Sequence, residues 1–138
     1  MILNADFIMS FPITTPILIV EDFKTMLRIM RNLLKQLGYE DVDDASDGAA
    51  ALARMESRDY GFVISDWNMA PMTGFELLKQ VRASARNSQI PFLMVTADSG
   101  SGSIVAAGAA GVSSYLLKPY NAQTLKAKMD EVYARTVG

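Results

Sequence analysis

The stretch that most constrains the fold is residues 60–74, with the sequence YGFVISDWNMAPMTG. It begins with a short apolar run at residues 62–64, a composition typical of a strand buried on both faces of a sheet. Asp66 ends that strand, and after a loop Thr73 and Glu76 have the spacing of a capping box at the start of a helix. The stretch therefore predicts a strand, a carboxylate, a loop and a helix, and open α/β sheets bind ligands at this end of their strands.

The rest of the chain repeats this alternation of short apolar runs and longer helical segments. Further strands are predicted at residues 17–20, 41–45, 90–95 and 115–117. Helices are predicted before Gly38, up to about Ser57, through residues 75–81, at residues 104–110 and after Asn121. Because each crossover is long enough to hold a helix, we predict a doubly wound, flavodoxin-like α/β fold of five parallel strands and five helices. The alternating Asp residues of the second strand indicate an edge position.

Length and composition exclude several functions. The chain of 138 residues is expected to form one domain over residues 16–138, preceded by an extension at residues 1–15. Its net charge of −2, with no basic run, argues against a nucleic-acid partner. No apolar run approaches the roughly 20 residues of a membrane span, and the N-terminus is a poor signal peptide, so we expect a cytoplasmic protein without a membrane partner. The chain has no Cys and no His, so it cannot hold a thiol- or imidazole-ligated metal.

Four predicted strands end in polar side chains. Glu21 and Asp22 follow the first strand, Asp66 the third, Thr96 the fourth and Lys118 the fifth. Each has a plain structural explanation, such as a cap, a strand-end hydroxyl or a surface amine. Because the C-terminal ends of parallel strands lie on one edge, however, we expect these side chains to converge. Their convergence predicts a functional site.

The residue types in this predicted site suit phosphoryl transfer. Three carboxylates in one pocket repel one another unless a cation is present, and their oxygens favour a hard divalent ion such as Mg²⁺. Lys118 and Thr96 would add an ammonium and a hydroxyl that can stabilise an anionic phosphoryl group. Asp66, central in the sheet, is then the candidate nucleophile, forming an aspartyl-phosphate.

From Ile17 to about Val132 the chain resembles the receiver domain of two-component response regulators, in particular the stand-alone chemotaxis regulators. The resemblance is carried by the segments ILIVEDFKTMLRIMRNLL, FVISDWNM, MTGFELL, LMVTAD and YLLKPY. It implies the strand order 2-1-3-4-5, which is taken over from that family. It also implies a single-domain, monomeric signalling protein that is not an enzyme, except that it catalyses its own phosphorylation and dephosphorylation.

The resemblance also assigns roles at the acidic site. Asp66 would accept a phosphoryl group from a phosphohistidine of a sensor histidine kinase. The carboxylates of Asp22 and Asp66 and the backbone carbonyl of Asn68 would hold Mg²⁺, with Glu21 acting close by. Lys118 would pair with the phosphoryl group.

A second set of implied roles concerns the output. Thr96 would move to hydrogen-bond the phosphoryl group, and Tyr115 would turn inward as Thr96 moves. Ile104 and Lys128 match the output face formed by the fourth helix, the last strand and the last helix, which in chemotaxis regulators binds the flagellar motor switch protein. A phosphatase is a further partner that the resemblance implies. The peptide bond between Lys118 and Pro119 is expected to be cis.

Three departures and three alternatives accompany the resemblance. Glu21 stands where Asp is more usual, and Ala70-Pro71 replaces the usual Pro one position earlier. The third departure is the uncharged run of Ser and Gly at residues 99–103, which predicts a flexible loop after Thr96 and a mobile start to the fourth helix. A stand-alone receiver in another phosphorelay is the nearest alternative. An Asp-nucleophile phosphohydrolase would need a second acid at position 68, where Asn68 stands, and in a flavin-binding module Glu21 and Asp22 would repel the phosphate.

Overall fold

The computed structural model describes residues 10–97 and 101–137, with the side chains of residues 101–104 and 137 left out of the description. Five strands and five helices alternate along this part of the chain. The strands are β1 (Ile17–Val20), β2 (Val42–Ala45), β3 (Phe62–Asp66), β4 (Phe92–Thr96) and β5 (Ser114–Leu117). The helices are α1 (Lys24–Gln36), α2 (Gly48–Ser57), α3 (Gly74–Ala83), α4 (Ser101–Ala109) and α5 (Ala122–Val137). Among the described residues, no helix is both long and apolar enough to cross a membrane.

All five strands pair in parallel in the order β2-β1-β3-β4-β5. The predicted flavodoxin-like fold, the strand order and the edge position of β2 are therefore confirmed. The register aligns Val20 with Ser65, Asp66 with Val95, and Thr96 with Leu117. The strands consequently end at nearly the same level, which brings the side chains at their C-terminal ends to one edge of the sheet.

The central strands are buried on both faces because helices cover both faces of the sheet. Successive side chains point to opposite faces, so each strand contributes to two cores. One core joins Ile19, Ile64 and Val95 to side chains of α1 and α5, among them Leu34, Leu125 and Val132. The other joins Val20, Val63 and Met94 to side chains of α2 and α3, among them Met55, Leu77 and Leu78.

The fourth strand lies slightly later than the predicted residues 90–95. The amide of Ile90 donates to Asn87, which places Ile90 in a turn, and Pro91 contributes its carbonyl to Val63 without having an N–H of its own. β4 therefore runs from Phe92 and includes Thr96 as its last residue. Asp66 is likewise the last residue of β3, as the sequence predicts.

Part of the predicted N-terminal extension packs against the domain. The Phe11 ring is 7% exposed, and its centroid lies 5.0 Å from those of Phe62 and Tyr133. The Tyr39 hydroxyl donates to the carbonyl of Phe11 at 2.7 Å. Residues 10–15 thus complete the core between α1 and α5, whereas residues 1–9 lie outside the described residues.

The start of α3 is built as the capping box predicts. The amide of Glu76 donates to the Thr73 hydroxyl, and the Glu76 carboxylate accepts from the amide of Thr73, at 3.1 and 2.9 Å. A Cβ atom at Gly74 would lie 2.1 Å from the carbonyl oxygen of Asp66. Only a glycine therefore lets this helix begin directly beside the last residue of β3, which fixes the loop that follows Asp66.

Candidate functional site

Three carboxylates meet at the C-terminal edge of the sheet. Asp66 ends β3 and is 4% exposed, while Glu21 and Asp22 follow β1 directly and are partly buried and exposed, respectively. One carboxylate oxygen from each residue lies within 4.8 Å of those of the other two. The structure therefore brings together the three acidic residues that the sequence analysis singled out.

Lys118 supplies a positive charge to this cluster. Its Nζ atom lies 2.7 Å from Oδ1 of Asp66, and the contact is an ion pair without a directed hydrogen bond. The amide of Lys118 donates to the carbonyl of Thr96 at 2.8 Å, which ties the end of β5 to the end of β4. One ammonium group thus faces three carboxylates, and the cluster keeps an excess of negative charge.

Glu21 has a raised pKa in this setting. Burial, followed by the negative charge of Asp66, raises the pKa of Glu21 from 4.5 to about 7. The amide of Phe23 donates to its carboxylate at 3.2 Å and acts in the opposite direction. Burial and the charges of Glu21 and Asp66 also raise the pKa of Tyr120 to about 12, so its hydroxyl keeps its proton at neutral pH.

Thr96 and Asn68 both lie in segments next to the end of β3. Thr96 is 4% exposed and ends β4, next to β3. Asn68 is exposed in the loop after Asp66, and this loop is held by the buried Met69 and by the amide of Trp67, which donates to the carbonyl of Val95 at 2.9 Å.

Two peptide bonds next to the cluster are cis. The expected cis bond between Lys118 and Pro119 is confirmed. A second one joins Ala70 and Pro71, the position at which the loop departs from the family pattern.

The donor set of the cluster fits a hard divalent cation. Every candidate ligand is a carboxylate or carbonyl oxygen, which Mg²⁺ prefers. A cation there would also reduce the repulsion from Asp66 that, after burial, contributes to the raised pKa of Glu21. A small cleft runs from Glu21 and Asp66 to Tyr120, with Met26 and Met30 of α1 on its apolar side.

Two of the residues expected at the output face, Tyr115 and Lys128, contact each other. Tyr115 is half-buried on β5, and Lys128 Nζ lies 4.9 Å from the centroid of its ring. Ile104 belongs to α4, but its side chain is outside the described residues.

Two residues near these sites were not predicted from the sequence. Tyr120 lines the cleft beside Glu21 and Asp66, and Glu131 lies 3.7 Å from Lys128. The spacing of Lys128 and Glu131, three residues apart on a helix, was a usable signal for their contact. Tyr120, two residues after Lys118, carried no separate signal.

The sequence that forms this fold and site matches a known protein family. Residues 17–130 match the family model of the response regulator receiver domain. The chain therefore belongs to the response regulator receiver family of two-component signalling.

Similar proteins narrow this class. The chain is 46% identical over 122 residues to the chemotaxis protein CheY of Pseudomonas aeruginosa, covering 88% of this chain and 98% of that protein. It is 45% identical over 119 residues to the chemotaxis protein CheY-3 of Vibrio cholerae, covering 86% of this chain and 92% of that protein. The chain is thus a CheY-like receiver.

Solved structures of receiver domains are also similar to this chain. The chemotaxis protein CheY4 of Vibrio cholerae superimposes with a TM-score of 0.81 at 34% identity, covering 86% of this chain and 98% of that one. The receiver domain of a sensor histidine kinase from Pseudomonas aeruginosa superimposes with a TM-score of 0.79 at 25% identity, covering 88% and 98% of the two chains. That structure holds a magnesium ion coordinated in its active-site cleft.

Proposed function

We propose that this chain is a single-domain response regulator that accepts a phosphoryl group on Asp66 from a sensor histidine kinase. The observation that carries the proposal is the setting of Asp66. Its carboxylate is buried at the end of the central strand β3, within reach of Glu21 and Asp22 on one side and 2.7 Å from Lys118 on the other.

The transfer of the phosphoryl group requires a nucleophile and positively charged groups that stabilise the negative charge of the phosphoryl oxygens. A carboxylate oxygen of Asp66 attacks the phosphorus atom, forming a P–O bond as the P–N bond of the phosphohistidine breaks. The leaving imidazole nitrogen keeps the electron pair and takes up a proton from solvent. Because this chain contains no His, the phosphohistidine belongs to the kinase. The chain acts on no other substrate in this scheme and catalyses only the gain and loss of its own phosphoryl group.

Magnesium is the proposed cofactor. The carboxylates of Asp22 and Asp66 and the backbone carbonyl of Asn68 would hold it, with Glu21 nearby. When bound, the ion neutralises charge on the carboxylates and on the phosphoryl oxygens. The oxygen-only donor set and the raised pKa of Glu21 support this assignment.

Lys118 and Thr96 would act on the phosphoryl group once it is attached. The ammonium of Lys118 already pairs with the oxygen of Asp66, so it is in place to pair with a phosphoryl oxygen there. The Thr96 hydroxyl on the adjacent strand would donate a hydrogen bond to the same group. These new contacts would favour the arrangement in which Thr96 has moved toward the phosphoryl group and Tyr115 has turned inward. A local change in charge would in this way alter the output face.

The output face would consist of α4, β5 and α5, with Ile104, Tyr115 and Lys128 as its contact residues. We propose a chemotaxis role for this face, in which the phosphorylated chain binds the flagellar motor switch protein. The chemotaxis proteins that are 45–46% identical over most of the chain support this role. The other proposed partners are a chemotaxis histidine kinase and a phosphatase, and the proposed location is the cytoplasm.

The intact mass of the chain tests the chemistry. The protein is incubated with a small-molecule phosphodonor, with and without Mg²⁺, as wild type, Asp66→Asn and Asp59→Asn. Asp59 is the matched control because its side chain is 84% exposed and pairs only with Arg86 among the described ion pairs. We expect a magnesium-dependent gain of one phosphoryl group in wild type and Asp59→Asn, and no gain in Asp66→Asn.

Two results would contradict the proposal. A mass gain that survives Asp66→Asn would place the phosphoryl group elsewhere. Steady release of phosphate from simple phosphate esters would instead favour a phosphohydrolase.

Binding of the phosphorylated chain to a peptide of the motor switch protein separates a chemotaxis role from a role in another phosphorelay. Only the chemotaxis role predicts that this binding depends on phosphorylation.

A further inference from the structure

A cluster of charged side chains joins α5 to the beginning of β5, away from the acidic edge. Glu131 is at its centre. Its carboxylate accepts a hydrogen bond from the Ser114 hydroxyl at 2.7 Å and lies 3.5 Å from Arg135 and 3.7 Å from Lys128. Ser114 is 5% exposed, so this carboxylate is anchored to the sheet by a buried donor.

Lys128 lies between Glu131 and an aromatic ring. Its ammonium nitrogen is 4.9 Å from the centroid of the Tyr115 ring, a distance at which a cation is attracted to the ring. The side chain of Lys128 is 31% exposed and that of Glu131 is 38% exposed, so neither is held in place by burial alone. The position of the ammonium therefore depends on its two partners, the carboxylate and the ring.

We propose that Glu131 is a positioning residue of the output face: its carboxylate, anchored by Ser114, holds the Lys128 ammonium against Tyr115 and so favours the half-buried position of that ring. An inward turn of the ring would separate it from the ammonium and remove this contact. Glu131 thereby opposes the activated arrangement. The inference rests on the proposed function for the direction in which Tyr115 moves, whereas the contact itself is present in the structure.

The charge state of Glu131 supports this role. The hydrogen bond from Ser114, followed by the charges of Lys128 and Arg135, lowers the pKa of the Glu131 carboxyl below its usual range, against an opposing effect of burial. The carboxylate is therefore ionised at neutral pH and can attract the ammonium.

A purely structural role is the alternative explanation. Glu131 could simply fasten α5 to β5, as Arg135 does by donating to the carbonyl of Ser113 at 2.5 Å. Glu131→Gln separates the two roles, because the amide oxygen still accepts from Ser114 while the charge that attracts Lys128 is gone. Asp130→Asn is the matched control: it makes the same charge change one residue earlier on α5, where Asp130 pairs with Lys126 at 2.7 Å.

Proton NMR of the full, unphosphorylated chain reports the contact directly. An aromatic ring shields protons above its face, so the ε-methylene protons of Lys128 should be shifted upfield, and Tyr115→Leu should abolish that shift. We expect Glu131→Gln to reduce the shift by at least half and Asp130→Asn to leave it unchanged. We also expect Glu131→Gln to increase the inward-turned population of Tyr115 by about two- to fivefold.

Lys128→Gln is the second variant, in case Glu131→Gln impairs folding. It should move the Tyr115 ring resonances in the same direction as Glu131→Gln. The inference is overturned if both variants leave the Tyr115 resonances in place, or if Asp130→Asn has the same effect as Glu131→Gln. The intact mass after phosphodonor treatment, measured on the same samples, reports separately on the proposed function, because the Lys128 shift is read without phosphorylation.

Discussion

Two groups of three acidic residues lie on this sheet, one along the edge strand β2 and one at the C-terminal edge, and their partners differ. On the edge strand, Asp41 and Asp43 pair with Arg58 at 2.6 and 3.0 Å, and Asp44 pairs with Arg31. Each of these three acids therefore has an arginine partner, with two arginines serving three carboxylates, and we call them the compensated group.

The acidic cluster of Glu21, Asp22 and Asp66 has a different balance. Among the ion pairs of the described residues, Lys118 is its one cation. In the first group a hydrogen bond from Tyr60 is the main cause that lowers the pKa of Asp43. In the acidic cluster, burial and then the negative charge of Asp66 raise the pKa of Glu21 to about 7. The number of carboxylates in a group therefore does not identify a functional site. A better indicator is a group of carboxylates with too few positively charged partners.

The largest expected effect comes from removing the cation of the acidic cluster. Lys118→Met leaves Asp66 buried among carboxylates, so we expect a loss of about 2 kcal/mol in the free energy of unfolding without Mg²⁺. Because a bound cation would replace part of the lost charge, Mg²⁺ should restore part of that stability. Urea unfolding with and without Mg²⁺ measures both. Equal instability under the two conditions would mean that Mg²⁺ does not bind near Asp66.

The next effect is the pH dependence caused by Glu21. Its pKa is raised in the folded state, so the folded protein binds more protons than the unfolded chain between pH 4.5 and about 7. Stability should therefore fall as the pH rises through this window, by about 1 kcal/mol after allowance for solvent screening. Glu21→Gln should remove this slope. Unfolding measured at several pH values tests it, and an unchanged slope would show that Glu21 is not the group responsible.

A smaller effect is expected at the compensated group, where the stability gained from Asp43 falls as the pH is lowered rather than as it is raised. The Tyr60 hydroxyl donates to Asp43 at 2.6 Å, and Tyr60→Phe should cost about 1 kcal/mol at neutral pH. The pKa of Asp43 is lower in the folded protein than in the unfolded chain. The extra stability of the wild type is therefore present above the unfolded pKa of 3.8 and is lost as the pH falls through the folded pKa. Unfolding at pH 7 and at pH 3 measures the difference between the two proteins, which should shrink at the lower pH.

The smallest effect is expected at the partly exposed Arg58. Arg58→Gln should lower the melting temperature slightly, because Asp41 and Asp43 lose their common partner. High salt should narrow the difference from wild type, since it screens exposed charges, and Mg²⁺ should have no specific effect. A specific stabilisation of Arg58→Gln by low concentrations of Mg²⁺ would remove the distinction between the two groups of acids.

The sequence was sufficient for the fold and for the convergence at the acidic edge. Short buried strands that alternate with helical segments predict a parallel sheet, and every parallel strand ends on the same edge. Asp66 and Lys118 could therefore be expected to meet although they are far apart in the chain, and the capping box of Thr73 and Glu76 depends on local spacing alone.

The partners of individual side chains could not be predicted in the same way. The pairing of Arg58 with Asp41 and Asp43 depends on where the chain after α2 passes the edge strand. The burial of Phe11 depends on a gap between α1 and α5 that exists only in the folded domain. Such contacts follow from the packing of elements, whereas composition indicated only an apolar N-terminal segment.

The fluorescence of Trp67, the only tryptophan of the chain and the residue after Asp66, gives the most direct test of the central claim. That claim is that the uncompensated acidic cluster is a divalent-cation site and the compensated group is not. We predict a saturable change on titration with Mg²⁺ in the wild type and in Asp44→Asn, and a greatly weakened one in Asp22→Asn. No saturable change in the wild type, or an equal loss in Asp44→Asn and Asp22→Asn, would contradict the account.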